Sequence, residues 1–148
     1  MSEPPPFENQ YLADRLELDD LLTRYALAID TKDWDLLDTV FTPDAHLDYT
    51  TAGGIVGDYP KVKAWLMEVL AGFPMTQHLI TNRTVTIDGD EANVRSYVYN
   101  PMGSTGRDGS LKLFYTGGFY IDRMRRTPDG WRIVDRYEDM TWSEGLNR

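Results

Sequence analysis

The chain contains no cysteine in its 148 residues and only two histidines, His46 and His78. The first absence excludes a disulfide framework, a thiolate metal site and a cysteine nucleophile. The second leaves just two side chains that ordinarily titrate near neutral pH. Cationic runs are also missing, since Arg125-Arg126 is the longest. With 15 Lys plus Arg against 24 Asp plus Glu, the net charge is −9, which repels phosphate backbones and anionic lipid and argues against nucleic-acid and membrane partners. No stretch approaches the roughly 20 apolar residues of a membrane span, and MSEPPPFENQ lacks the basic and apolar regions of a signal peptide, so a cytoplasmic location is expected. G-x-G-x-x-G, P-loop and G-x-S-x-G motifs are absent, leaving dinucleotide, NTPase and serine-hydrolase readings without support.

What is present suffices for a core: 41% of residues are hydrophobic and 12% aromatic, which suits one folded domain. Residues 1–11, with Pro4-Pro5-Pro6, read as an extended arm, residues 12–142 as the domain and residues 143–148 as a tail. Helices occupy the first half and strands the second, the segregation of an α+β fold. Leu18, Leu21, Leu22, Tyr25 and Ile29 share one face of a first helix, broken at Asp30-Thr31-Lys32-Asp33. Asp33 is placed to cap a short second helix with Trp34, Leu37, Val40 and Phe41 on one face, ended by a turn at Thr42-Pro43-Asp44. Residues 45–50 read as a strand. Asp58-Tyr59-Pro60 opens a third helix through Val62, Trp65, Leu66, Val69, Leu70 and Phe73. Antiparallel strands are expected over residues 77–87, 92–99, 111–123 and 131–140, with a long loop at 101–109. Asp88-Gly89 and Asp129-Gly130 mark hairpin turns, and Gly117-Gly118 marks a bulge or sharp bend.

Few residues are available for chemistry. His78 opens a strand, and alternation puts His78, Ile80 and Asn82 on one face. An imidazole and an amide facing one cavity is the functional reading; a histidine simply hydrogen-bonded at a strand end is the other. Asp30 ends the first helix, where the negative dipole end disfavours a carboxylate, so a compensating partner is expected unless solvent supplies it. An imidazole would serve, because a carboxylate holding Nδ1 leaves Nε2 as a general base. Tyr25 and Tyr49 are candidate phenol donors, while Tyr97, Tyr99, Asn100, Tyr115 and Arg136 lie on strands and are further pocket candidates. A salt bridge to Asp135 or Glu138 is the plain alternative for Arg136. His46 and Asp48, at i and i+2, are too few for a metal site.

The segments Tyr25-Ala26-Leu27-Ala28-Ile29-Asp30, Asp33-Trp34, Phe41-Thr42-Pro43-Asp44-Ala45, Asp48-Tyr49, His78-Leu79-Ile80-Thr81-Asn82 and Gly130-Trp131-Arg132-Ile133, leading to Arg136, resemble the SnoaL-like branch of the nuclear transport factor 2 superfamily. The resemblance covers about residues 12–142. It implies a cone-shaped α+β barrel, three helices on a strongly curved, mostly antiparallel sheet enclosing an apolar pocket. Scytalone dehydratase, bile-acid 7α-dehydratase and hexachlorocyclohexane dehydrochlorinase share that architecture and an Asp–His pair, to which Asp30 and His78 correspond. Tyr25 matches the dehydratases' tyrosine, Tyr49 a further pocket tyrosine, Asn82 fits the pattern, and Arg136 resembles an arginine of the last strand.

The resemblance implies a cofactor-independent lyase, dehydratase or isomerase acting on a small apolar alicyclic or polycyclic molecule, steroid- or polyketide-like. Asp30, His78 and Tyr25 would be catalytic. Tyr49, Asn82, Tyr97, Tyr99, Asn100, Tyr115 and Arg136 would bind substrate, with no metal or cofactor. A ligand-binding or accessory protein of the same fold is the alternative, and a homodimer or homotrimer is expected. The later-strand histidine or acid of those enzymes has no counterpart here beyond tyrosines and Asn100, which leaves a tyrosine or a bound water to deliver a proton to a leaving group.

Overall fold

In the computed structural model, which describes residues 8–146, the chain begins with helix α1 at Asn9–Thr31. Its buried face carries Leu18, Leu21, Leu22, Tyr25, Ala28 and Ile29, the stripe that the spacing predicts. The helix starts before the expected boundary at Leu12, while Pro4-Pro5-Pro6 and Asn147-Arg148 lie outside the described residues. The helix ends through Lys32 in the left-handed region (φ 55°), with Asp33 N–H donating to the Ala28 carbonyl at 2.8 Å, a C-terminal cap that turns the chain sharply. Asp33 then caps α2 (Trp34–Leu37), accepting from Leu36 N–H. This helix is shorter than the sequence reading. Val40 and Phe41 are buried, yet β1 already begins at Phe41 and runs to Asp48.

The expected turn at Thr42-Pro43-Asp44 is instead an irregularity inside β1, whose pairing breaks between Phe41 and His46. Pro43 has no N–H for a ladder bond, so the strand bends there without terminating. A 3₁₀ turn at Thr50–Ala52 and β2 (Val56–Asp58) lead into α3 (Tyr59–Leu70), capped by Asp58 with Pro60 in its first turn. Next come β3 (Met75–Thr76), β4 (Leu79–Asp88), β5 (Glu91–Thr105), β6 (Leu111–Thr127) and β7 (Gly130–Glu144). The expected long loop at 101–109 is largely strand, because β5 and β6 stay paired out to Thr105 and Leu111. Likewise β7 extends past Met140 into the expected tail.

One seven-stranded mixed sheet results, in the order β2-β1-β7-β6-β5, with β3 and β4 both on the outer side of β5. Among the described residues only β1 and β7 pair in parallel; every other pair is antiparallel. The sheet curls around the three helices as the cone expected of an α+β barrel. Its core joins α1 to Phe41, Leu47, Val62, Tyr120, Met124, Trp131 and Ile133. Among the described residues no helix is long and apolar enough to cross a membrane.

Two further features shape the sheet. Between Gly117 and Gly118 the β6–β7 register shifts by a residue, leaving Gly117 opposite Trp142 and Gly118 opposite Met140, the bulge that the glycine pair predicts. A Cβ at Gly118 would collide with the Asp139 carbonyl oxygen, and one at Gly117 with the Trp142 indole. The second device is the break between β3 and β4, which opens the sheet edge at Gln77-His78.

Gly118→Ala is therefore expected to lower unfolding free energy by about 1–3 kcal/mol, the usual cost of overpacking. In contrast, Gly72→Ala, whose Cβ would meet only the Val69 carbonyl at ordinary contact, should change it by less than about 0.5 kcal/mol. Urea unfolding of both variants checks the contrast.

Candidate active site

Asp30 lies on the last turn of α1, where the unpaired helix carbonyls repel it, and its carboxylate is held by three donors. The Thr76 hydroxyl donates to Oδ1 at 2.9 Å, and the His78 backbone N–H donates to Oδ2 at 2.8 Å. The His78 ring Nδ1 lies 2.7 Å from Oδ1. The side chains of His78 and Asp30 are 7% and 22% exposed. Burial alone would raise the Asp30 pKa, but hydrogen bonding and the charge of His78, helped by Thr76, hold it below the ordinary carboxylate value. Placing His78 in the gap between β3 and β4 frees its backbone N–H from the ladder for this contact.

His78 faces a small chamber of about 70 Å³ shared with Tyr25, Tyr49, Asn100, Tyr120 and Glu138. Tyr25 and Tyr49 hydroxyls are 3.0 Å apart, Tyr25 and Tyr120 hydroxyls 3.5 Å apart, and the Tyr25 ring meets His78 edge-on at 6.1 Å. Burial raises the pKa of all three phenols, keeping them as O–H donors. Asn100, Met102, Tyr120 and Glu138 also line an adjoining cavity of about 520 Å³, whose walls include Leu66, Val69, Leu70, Phe73, Val98, Phe114 and Met140. That size lies within the roughly 300–1,000 Å³ of small-molecule pockets. Among the described residues the Asn100 Oδ1 is buried without a hydrogen-bond partner. No group of three or more His, Asp or Glu among them could hold a metal ion.

Several expected pocket residues stand elsewhere. Arg136 and its partner Asp122 are fully buried, directly opposite across the β6–β7 ladder, with two charge-assisted bonds of 2.7 and 2.8 Å. The guanidinium stacks on Tyr25 and Tyr120, 4.2 and 3.9 Å from their centroids. It supports the tyrosines from behind and lines neither the chamber nor the adjoining cavity. Tyr97 and Tyr99 are 53% and 40% exposed. With Tyr115 they lie on the sheet's outer face, where Tyr97 packs on Phe119 and Tyr99 on Tyr115 and Trp142. Asn82 is exposed, because the β4–β5 register shifts between Ile80 and Arg83 and breaks the alternation that put it beside His78.

Glu138, like Tyr120, is a site residue that sequence reasoning missed. It sits two residues after Arg136, directly opposite Tyr120 across the ladder. Burial pushes its carboxyl up to about 7, against the opposing influence of the Arg136 charge and of Tyr120. Strand alternation from Arg136 carried this signal, obscured by assigning Glu138 to a salt bridge that Asp122 makes instead.

Residues 10–137 match the SnoaL-like domain model. The chain belongs to the SnoaL-like family. An uncharacterised protein of Mycobacterium tuberculosis is 47% identical over 127 residues, 86% of this chain and 85% of that protein. A solved structure of a candidate aromatic ring hydroxylase from Novosphingobium aromaticivorans is 32% identical with a TM-score of 0.77, covering 91% of this chain and 94% of that one. A candidate scytalone dehydratase of the same organism shares the fold at 20% identity, with a TM-score of 0.80, over 93% and 90% of the two chains.

The displaced pKa values set opposite pH dependences. The lowered Asp30 pKa gives stability that is present above the unfolded carboxylate value and lost as pH falls through the folded one. For Glu138, raised from 4.5 to about 7, the contribution is complete below its unfolded pKa and lost as pH rises through about 7. Between pH 4.5 and 8 this group is expected to remove about 2–3 kcal/mol of stability. Denaturant unfolding across that range should show the decline in the wild type and a flatter curve in Glu138→Gln.

Proposed function

We propose that this SnoaL-like protein is a cofactor-independent lyase or isomerase, of dehydratase type, that removes a proton from a small apolar alicyclic or polycyclic molecule, steroid- or polyketide-like. The observation that carries this reading is the 2.7 Å contact between Asp30 and His78 Nδ1, with the imidazole facing a polar chamber beside an apolar cavity. In this mechanism Asp30 fixes the Nδ1–H tautomer and stabilises the imidazolium, while Nε2 takes a proton next to a carbonyl or leaving group. Tyr25 and Tyr49 donate hydrogen bonds to the oxygen on which charge develops. The apolar walls seat the hydrocarbon body and exclude water, which strengthens each polar contact. The name of the candidate scytalone dehydratase accords with elimination. The outer face around Tyr97, Tyr99 and Trp142 offers the apolar surface that a homodimer or homotrimer would bury.

A panel of cyclic β-hydroxy ketones and unsaturated ketosteroids, followed by the absorbance of the conjugated enone, tests the reaction. His78→Ala and Asp30→Asn should each lower kcat/KM by about 10²–10⁴-fold, the usual range for general-base catalysis, with unchanged circular dichroism. Full activity in both variants contradicts the proposal. Saturable quenching of Trp65, which lines the cavity, with ligand recovered unchanged identifies a binding protein instead.

A further inference from the structure

Elimination of a basic leaving group such as hydroxide needs a proton donor as well as a base, and the site has a carboxyl that the base mechanism leaves unused. We propose that Glu138 is the general acid of this site, protonating the departing or carbonyl oxygen while His78 removes the carbon-bound proton. The assignment rests on the base reading above. Geometry carries it: Glu138 and His78 both line the 70 Å³ chamber, yet they approach from different walls. Glu138 comes from β7, His78 from the edge beyond β5, and β6 lies between β7 and β5. The chamber has room for a reacting functional group, since a water molecule's share of liquid is about 30 Å³, while the adjoining cavity holds the body of the substrate.

Three further observations favour an acid over a structural carboxylate. The neighbouring cation, Arg136, gives two hydrogen bonds to Asp122 and none to Glu138, its Nη1 having no partner among the described residues. Glu138 makes no ion pair among the described residues. Its elevated pKa keeps a protonated population at neutral pH, the state a donor requires. Asn100 adds an unpartnered acceptor on the same chamber, suited to a substrate O–H.

The step balances for a β-hydroxy carbonyl compound. His78 Nε2 takes the proton from the α-carbon, and the C–H pair becomes the new C=C bond. The C–O bond breaks, and the departing hydroxyl takes the Glu138 proton and leaves as water. Imidazolium and carboxylate remain, and proton exchange with solvent restores both.

A series of substituted 1,2-benzisoxazoles separates acid from base. Their base-promoted ring opening needs only a base when the departing phenolate is weakly basic, and increasingly a proton donor as its basicity rises. His78→Ala should slow every member alike. Glu138→Gln should give a loss that grows along the series to about 10²-fold for the most basic leaving group. In the wild type, turnover of that member should fall above about pH 7. Equal slowing along the series in Glu138→Gln, with His78→Ala inactive, overturns the acid and spares the base. Turnover indifferent to His78→Ala overturns the base, and the acid assignment with it. A wild-type profile for the most basic member with no fall above pH 7 overturns the acid without any variant.

Discussion

A carboxylate at the negative end of a helix is the constraint around which this molecule is arranged. Asp30 occupies the last turn of α1, and the electrostatic cost is offset only because Thr76 and His78 bring three hydrogen-bonding atoms to it. Two of those atoms require a chain that has left the ladder. The sheet edge therefore breaks between β3 and β4, and that break turns the imidazole inward. One local interaction thus joins the end of the first helix to the far edge of the sheet and fixes the only inward-facing histidine of the described residues.

Behind this pair stands a second buried unit, in which Asp122 and Arg136 hold a guanidinium under Tyr25 and Tyr120. A buried ion pair of this kind adds little net stability over well-packed apolar residues. Its consequence here is positional: it keeps Tyr25, and through it Tyr49, at the chamber, and it directs the carboxylate hydrogen bonds of Arg136 to Asp122 and away from Glu138. The site combines an imidazole fixed by a carboxylate, three phenols and a carboxyl of elevated pKa beside a large apolar cavity. Such a set suits chemistry that moves protons on a hydrophobic molecule.

Much of this was legible in the residues. The helical stripe of α1, the caps at Asp33 and Asp58 and the glycine bulge each depend on local chemistry, and each appears where local rules place it. The pairing of Asp30 with His78 followed from electrostatic discomfort at a helix end together with a family resemblance, since the two are far apart in the chain. Tertiary irregularities defeated the rest. Pro43 bends β1 instead of ending a turn, and the β4 register shift turns Asn82 outward. The aromatic strand residues divide between two faces, so that Tyr97, Tyr99 and Tyr115 lie outside while Tyr120 lies inside. Glu138 was hidden because Arg136 was paired with sequence neighbours, whereas its partner lies fourteen positions away, directly across a hairpin.

The central claim is that Asp30 fixes His78 with its proton on Nδ1 and its other nitrogen free to act. Nitrogen-15 chemical shifts and long-range proton couplings of the His78 ring read this tautomer directly, without any substrate. The account predicts that the neutral form of the His78 ring carries its proton on Nδ1, with Nε2 unprotonated, and that Asp30→Asn loses this preference. An Nε2–H tautomer in the wild type, or ring shifts indifferent to Asp30→Asn, would contradict it.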